Sequence, residues 1–585
     1  MLNKRYYILL GVFAGFSSLL DAQTDKKVDQ SVQVVREYSP TVLDASKMHK
    51  MPVLDDTSSY RPVFRYGILD RVSSVSTQPE TISAARMSYK GNELLYRSFL
   101  RGGVGNFGTV MGDYAYNILN NKDYLFGFYL GHHTSLGRLK LENDSKVDAP
   151  FHDTEAGLNF KYFVDRYTFS SNLKFDHHMY QFYGLQTLNP DAKYLIGDKP
   201  VLEVPGDQLF GDKDERWSGF DANFGFANNL DEDAAVDFQS NLGLHLFSTK
   251  TGVKQNGFAL SGSANFPVAE YQGGIEASLD YFKVGVPDTI GPMYYFNERS
   301  NTLVRIKPHV DFVFNRFKLR AGIAIVAQIE ENQDDFYLMP DVKGVWDVAE
   351  GAVLLYGVLR GDLRTNSYRE VIADNPFVSA DENVASSATP ISIEGGIDAR
   401  FSQVVNFNAQ VGYSVFTDEH FFVNKPYFYM IDENNSALSY SNRFATVYDD
   451  GNLFKASAEL TISPGKKSQI LAKVAYYGWQ TDVQEKAWHK PETELGLSWR
   501  FYPTEKLMID GGLTLLGRRY AFDVETLSAK KLDAVVDFSL GGEYYVSQQF
   551  SLFMRLNNLA ASKYYRWNGY PSHGINLLAG LTFSF

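Results

Sequence analysis

The chain of 585 residues contains no cysteine. This absence excludes disulfide bonds, thiolate metal sites, a cysteine nucleophile and lipidation of a cysteine behind a signal sequence. An exported protein without disulfides needs another source of rigidity. A closed ladder of hydrogen-bonded strands can supply it.

Long apolar stretches are missing beyond the N-terminus, and mean hydropathy is -0.25, which excludes a bundle of membrane helices. The net charge is -13, so a basic footprint for nucleic acid is absent as well. No phosphate-binding loop, metal-ligand spacing or nucleophile elbow occurs. We therefore predict a protein that is not an enzyme, takes no cofactor and binds no nucleic acid.

Aromatic residues, by contrast, are abundant, with 37 Tyr and 43 Phe making up most of the 15% aromatic content. Ordinary average hydropathy together with many aromatics is typical of membrane β-barrels. In these proteins half of each strand is polar, and aromatic side chains form girdles at both membrane interfaces.

The N-terminal part differs from the rest of the chain. Residues 1–22 carry Lys4 and Arg5 before an apolar stretch, which predicts a secretory signal peptide, with an anchor helix as the alternative. Residues 23–84 show little strand alternation. We interpret them as a short extended arm in the periplasm or the lumen, or else as a disordered linker. The barrel is predicted over residues 85–585.

The segment 573–585 alternates between apolar and small or polar side chains. Successive side chains of a strand point to opposite faces, so one face of this segment is apolar. That face consists of Ile575, Leu577, Ala579, Leu581, Phe583 and Phe585. A soluble sheet would bury the face in a core and a membrane barrel would place it against lipid, so one strand leaves both readings open.

The same alternation repeats from about residue 95 to the end, for example over 391–401, 405–415 and 454–462. The second face carries charges of both signs, which a sandwich core does not tolerate but a polar lumen does. Such residues either line a path for polar solute or pair across the lumen and keep it rigid. The candidate lumen-lining residues are Arg305, Lys307, Asp311, Lys318, Arg320, Glu394, Asp398, Arg400, Glu494 and Arg500.

Short and long connections alternate along this part of the chain. Outer-membrane barrels have short periplasmic turns and longer outer loops, so the last strand would run down to a periplasmic C-terminus. Aromatics cluster beside the short turns, as a girdle requires. The predicted fold is all-β: a large transmembrane antiparallel up-and-down barrel of about 22 strands (range 20–24). The long segments lie near 138–152, 185–216, 286–301, 366–388, 417–450, 482–490, 523–530 and 566–574.

Adjacent histidines occur twice, at His132-His133 and His177-His178. Neighbouring residues of a strand face opposite ways, so neither pair can chelate a metal by itself. We predict interfacial or loop-facing histidines.

The C-terminal third resembles the barrel of TonB-dependent receptors. The resemblance lies in residues 442–450, in Ala487–Pro491, and above all in 555–559 and 564–571, where Asn-Leu is followed by Tyr-Tyr, Trp and Gly-Tyr-Pro before a strand ending in Phe. The family implies a barrel of 22 strands filled by a preceding plug domain. Here only about 60 residues separate the signal from the barrel, and no plug or TonB box is recognisable in them.

The resemblance implies a non-enzymatic receptor or channel-type barrel in the outer membrane of a Gram-negative bacterium. The alternative is a sealed barrel that serves as a structural subunit of a multiprotein outer-membrane complex. Expected partners are outer-membrane lipid, the barrel-assembly machinery, and proteins that dock on residues 23–84 or the outer loops. By the same resemblance, Phe583 and Phe585 form the C-terminal signal that the assembly machinery recognises.

Overall fold

The computed structural model describes residues 96–118, 121–184, 195–196, 199–200, 213–228, 236–285, 298–331, 334–382, 384–430, 436–465, 467–524 and 526–585. The predicted signal peptide, the predicted arm and the first residues of the predicted barrel domain (85–95) lie outside this part of the chain. Among the described residues, no helix is long and apolar enough to cross a membrane.

The dominant element is a closed barrel of 22 antiparallel strands, which confirms the predicted fold and strand count. Each strand pairs with its neighbours in the chain, and β1 pairs with β22 to close the ring. The strands are β1 (Ser98–Gly105), β2 (Val110–Ile118), β3 (Tyr124–Ser135), β4 (Phe151–Val164), β5 (Tyr167–Gln181), β6 (Asp214–Asn228), β7 (Asp237–Thr249), β8 (Lys254–Val268), β9 (Tyr271–Gly285), β10 (Arg299–Phe314), β11 (Phe317–Glu330), β12 (Asp334–Asp347), β13 (Val353–Arg364), β14 (Ser387–Arg400), β15 (Val405–Met430), β16 (Ser436–Ile462), β17 (Ser468–Thr481), β18 (Thr493–Thr504), β19 (Leu507–Leu516), β20 (Val535–Tyr545), β21 (Phe550–Asn557) and β22 (Asn576–Ser584).

The connections contain further short elements. A 3-10 turn, Asn106–Gly108, joins β1 to β2, and helix α1 (Tyr368–Asp374) lies between β13 and β14. Four small hairpins accompany them: Arg138–Lys140 with Lys146–Asp148, Leu195–Ile196 with Lys199–Pro200, Arg519–Asp523 with Ser528–Leu532, and Tyr565–Trp567 with Tyr570–Pro571.

The two faces of the sheet differ as the alternation predicts. The outward face is apolar and exposed: Val411 is 55% exposed and Leu581 is 44% exposed. The opposite face points inward, because Arg369 of α1 reaches Asp176 on β5 and Asp221 on β6, several strands away around the ring. Such a contact can be made only through the barrel interior.

Aromatic side chains line the outward face at the short-turn end. The rings of Phe312 and Phe314 lie 6.1 Å apart, and those of Phe583 and Phe585 lie 5.2 Å apart. Tyr167 lies 5.3 Å from Phe226 of the next strand. These contacts match the predicted girdle.

One expectation about the connections is confirmed and one is wrong. Within 417–450, the stretches 427–431 and 444–448 are expected to extend strands above the membrane, and the described part of this segment is indeed strand: β15 and β16 are 26 and 27 residues long. The alternation of short and long connections, by contrast, is incomplete. The long-loop end contains tight connections between β1 and β2 and between β7 and β8, each closed by local backbone hydrogen bonds.

Candidate functional site: a capped polar lumen

The strand register places all ten predicted lumen-lining residues on one face of the sheet. Arg305 lies opposite Ser278, Asp311 opposite Arg320, and Asp398 opposite Asn408. Following these cross-strand pairs around the ring leads to Asp176 and Asp221, which face the interior. Their part in solute passage or in rigidity stays a prediction.

Half of these residues take part in polar contacts across the wall. Arg320 binds Asp311 through two nitrogens, at 2.8 and 3.1 Å, and Arg305 lies 2.6 Å from Asp280. In the other two contacts the predicted residue is the carboxylate: Arg360 lies 3.2 Å from Glu394, and the hydroxyl of Tyr477 donates to Glu494 at 3.3 Å. Cross-wall contacts of this kind are what the interpretation of a rigid, charge-paired lumen predicts.

The other half, Lys307, Lys318, Asp398, Arg400 and Arg500, form no ion pair within the described part of the chain. Asp398 and Arg400 line a cavity of about 810 Å³ at the short-turn end of β14, β15 and β16, together with Gln403, Asn406, Asn408, Glu459 and Thr461. We call this region the lower lumen. Its lining combines amide side chains with charged ones.

The long-loop end looks entirely different, because its loops fold over the barrel mouth. Residues 365–386, the upper parts of β15 and β16, residues 482–492 and residues 558–575 pack into one assembly, which we call the cap. Its apolar core includes Tyr368, Val371, Phe377, Phe422, Phe444 and Tyr570. The rings of Phe377 and Tyr570 stack at 3.6 Å, although they belong to loops far apart in the chain.

Helix α1 is specified by local sequence. Ser367 and Glu370 form a capping box, in which the Glu370 amide donates to the Ser367 hydroxyl at 3.3 Å and the Ser367 amide donates to the Glu370 carboxylate at 2.7 Å. Val371 and Ile372 follow, and both are buried in the cap. The helix therefore turns an apolar face to the aromatic core and carries Arg369 to the barrel wall.

Arg369 joins the cap to the wall. Its guanidinium binds both oxygens of Asp221 at 2.7 Å and one oxygen of Asp176 at 3.0 Å. Gly219 makes room for it, since a Cβ atom there would lie 2.7 Å from a guanidinium nitrogen. These three charges are largely withdrawn from water, so they compensate one another. Asp221 also contacts His245 Nδ1 at 2.7 Å, and Lys174 lies 3.9 Å from Asp176.

A second contact holds the β13–β14 loop to β15. Lys425 lies 2.5 Å from Asp381 and 3.0 Å from Glu382. Glu382 also accepts a hydrogen bond from the Thr446 amide of β16, at 3.1 Å. The acidic pair of the loop is thus held by the Lys425 ammonium of β15 and by a backbone amide of β16.

His489 ties three cap segments together. Its Nδ1 lies 2.8 Å from the Phe422 carbonyl, and its Nε2 accepts from the Asn568 amide at 3.2 Å. Both nitrogens are used by a neutral ring, and burial lowers the pKa of His489 to about 3. The residue adopts a positive φ of 61°, which a histidine rarely does.

Arg519 braces the cap, and no acidic side chain among the described residues pairs with it. The side chain is 1% exposed and donates to the carbonyls of Tyr565, Arg566 and Asp533 at 2.9 to 3.0 Å. Burial, assisted by the charge of Arg566, lowers its pKa to about 10. Three carbonyl dipoles therefore take the place of a counter-ion.

The paired histidines point to opposite faces, as predicted. His178 faces inward and lies 2.7 Å from Asp153, whereas His177 faces outward and contacts the Ser218 hydroxyl at 2.8 Å. No group of three or more metal-binding side chains occurs in the described residues.

Several cap residues were missed from the sequence. The segment 366–388 was interpreted as a polar loop, although Ser367 and Glu370 at capping-box spacing before Val371 predict a helix start. Arg369 gives no such signal, because its partners lie 148 and 193 residues away. The stretches that carried the resemblance, Ala487–Pro491 and 564–571, meet in the cap: Trp567 packs on His489, with ring centroids 5.2 Å apart.

No protein-family model matches the chain, and no curated protein matches it either. Solved structures do match. The FrpB iron transporter from Neisseria meningitidis superimposes with a TM-score of 0.60 at 11% identity, covering 85% of this chain and 82% of that one. The ferric-catecholate import receptor Fiu from E. coli K12 gives a TM-score of 0.59 at 9% identity, covering 84% and 82%.

FpvA of P. aeruginosa, solved with bound pyoverdines, gives a TM-score of 0.59 at 11% identity, covering 84% of this chain and 72% of that one. Identities this low establish a common fold. The chain therefore has the fold of a TonB-dependent-receptor barrel, as the resemblance at its C-terminal end predicted.

Proposed function

We propose that the protein is a non-enzymatic receptor or channel-type barrel of the Gram-negative outer membrane, which binds or passes a polar solute. The observation that carries the proposal is a closed barrel with an apolar outer face, a polar lower lumen and a folded cap at the long-loop end. Neighbours of the same fold, titled an iron transporter and an import receptor, support a role in uptake.

In this proposal the cap is the outer gate and the lower lumen is the inner chamber. A solute that reaches the chamber meets Asp398 and Arg400, which lack ion-pair partners in the described residues, and the amides of Asn406 and Asn408. Charged and amide groups of this kind favour a polar, hydrogen-bonding solute over an apolar one.

The remaining assignments follow from the membrane placement. The short-turn end faces the periplasm, and Phe583 and Phe585 at that end are the signal for the barrel-assembly machinery. Residues 1–22 are a signal peptide and residues 23–84 an arm at the periplasmic side or in the lumen. The exposed outer loops are the sites for protein partners. FpvAI, of the same fold, was solved in complex with pyocin S2.

Planar-bilayer conductance tests the gate. We expect the full-length protein to conduct little and Arg369→Met to open steps of higher conductance, because that variant frees α1 from the wall. Lys531→Met, at an exposed position of the Ser528–Leu532 strand, serves as the control with the cap and the lower lumen intact. A chain lacking residues 23–84 measures whether the arm contributes to closure.

No current from any of these forms would exclude a channel and leave the sealed structural subunit. Affinity purification from outer membranes then distinguishes a structural subunit of a complex from a receptor. A stoichiometric set of co-purified proteins would support the complex, and a lone barrel that binds solute would support a receptor.

A further inference from the structure

The outward face of β3 to β8 carries a row of polar side chains close to the long-loop ends of these strands. Cross-strand pairing aligns these residues: His132, Thr154, His177, Ser218, Ser248 and Lys254. Within the row, His132 Nδ1 lies 2.8 Å from the Thr154 hydroxyl and His177 Nδ1 lies 2.8 Å from the Ser218 hydroxyl. These contacts orient the imidazoles and leave the second nitrogen of each ring outside the pair.

Apolar side chains lie directly below this row. On four of the six strands the outward residue two positions further down is a large apolar one: Leu130, Phe175, Phe220 and Leu246 are 39 to 51% exposed. On β8 the exposed Asn256 comes first, and Phe258 follows it. The polar row therefore lies at the upper boundary of the apolar belt on most of these strands. At that height a membrane barrel meets lipid headgroups, not acyl chains.

Cations reinforce the row. Lys254 is exposed and forms no ion pair with any described residue, and Arg216 is exposed one level higher. Lys250 lies beside Arg216, and Asp214 is the acid near both, at 2.7 Å from Lys250 and 3.7 Å from Arg216. Lys254, Arg216 and Lys250 outnumber Asp214, so this part of the outward face has an excess of positive charge.

Other parts of the rim lack this character. On β1 and β2 the outward residues near the long-loop end are Val104 and Val110, and on β12 they are Phe336 and Leu338, all of them exposed and apolar. The row is therefore a local feature of one sector of the barrel and not a property of the whole circumference.

We propose that this row binds the phosphate of an anionic lipid headgroup in the outer leaflet. The inference rests on the membrane placement proposed above. Lys254 and Arg216 supply charge, while hydroxyl and imidazole groups donate hydrogen bonds to phosphate oxygens. The apolar row beneath holds the acyl chains of the same lipid, so headgroup and tail are recognised on one continuous surface.

The test uses the full-length protein in phosphatidylcholine nanodiscs containing a minor fraction of phosphatidic acid, which carries a phosphomonoester. Native mass spectrometry counts the phosphatidic acid retained by each barrel. We expect Arg216→Leu with Lys254→Leu to reduce that retention about thirtyfold, since each cation near a charged headgroup contributes on the order of 1 kcal/mol. Lys531→Leu with Lys563→Leu removes the same charge from exposed outer-loop positions and should leave retention unchanged.

Equal retention by both double variants would overturn the proposal. So would displacement of the lipid by millimolar inorganic phosphate, because the site would then be one for free phosphate. If the double variant does not fold, Lys254→Gln alone is compared with Lys563→Gln. Flotation with liposomes of the same lipid composition is measured in parallel. A wild-type chain that does not enter any bilayer would contradict the proposed membrane function and not the lipid site.

Discussion

The cap and the lower lumen contain the same types of charged residue, but Arg369 of the cap is paired and largely buried, whereas Arg400 of the lower lumen pairs with no described residue. In the cap, Arg369 is held by two carboxylates and packed beside an aromatic core. In the lower lumen, Arg400 lines an open cavity without an ion-pair partner in the described residues. The difference shows that charge keeps a structure closed only where water is excluded, because exposed charges contribute little to stability.

The largest effect is expected in the aromatic core of the cap. Phe377→Ala removes the ring stacked on Tyr570 and leaves a cavity, which we expect to destabilise the cap by about 4 kcal/mol. Hydrogen exchange of residues 365–386 measures the change. Phe401→Ala, at a 69% exposed position near the short turns, is the comparison. A similar loss of protection in the cap from both variants would contradict the assigned core.

The ion pairs come next. Arg369→Met leaves Asp176 and Asp221 without their shared cation, and we expect the cap to lose roughly 3 to 4 kcal/mol. Arg400→Met, the same change in the lower lumen, should cost less than about 0.5 kcal/mol. Limited proteolysis of the cap reports both variants. If the cap resisted proteolysis equally in both variants, Arg369 would not hold the cap in place.

The wall of the lower lumen provides a contrast between its two faces. Val411→Arg places a charge on the outward face at mid-strand and should destabilise the barrel by about 3 kcal/mol. Gln410→Arg places the same charge inside, where Tyr356 contacts Gln410 at 3.2 Å and polar groups surround it. Urea unfolding in lipid vesicles measures both. Equal costs would mean that the two faces are assigned wrongly.

The smallest effect depends on pH. The pKa of His489 is about 3 in the folded cap and about 6.5 in an unfolded chain, so the unfolded cap takes up the proton first. Cap stability is therefore complete above about pH 6.5 and falls on acidification, by about 2 kcal/mol at pH 5. Hydrogen exchange of the cap amides at about pH 5 and at about pH 7, corrected for the intrinsic exchange rate, measures this difference in stability.

His489→Asn is the control, since asparagine tolerates a positive φ and does not titrate. We expect its cap to be weaker at neutral pH but less sensitive to acid. An unchanged pH dependence would assign the effect to another group.

Much of the barrel could be predicted because period-two alternation encodes both the strands and their faces. The alternation over 405–415 predicts opposite sides for Val411 and Gln410, and the register agrees. The cap could not be predicted. Its contacts, such as Phe377 on Tyr570, join residues far apart in the chain that follow no local period. The same holds for the free charge of Arg400, since neighbouring sequence does not reveal which lumen groups find partners.

The pairing of β1 with β22 has a consequence for how the protein is made. The Ser98 amide donates to the Phe585 carbonyl at 2.8 Å, and the Phe585 amide donates back at 3.0 Å. The first and last strands of the barrel are therefore partners, and the ring cannot close before β22 has been made. Until then, the edges of these two strands are open to other chains. Closure across so long a separation in sequence is slow, so these edges stay exposed to aggregation while the barrel folds.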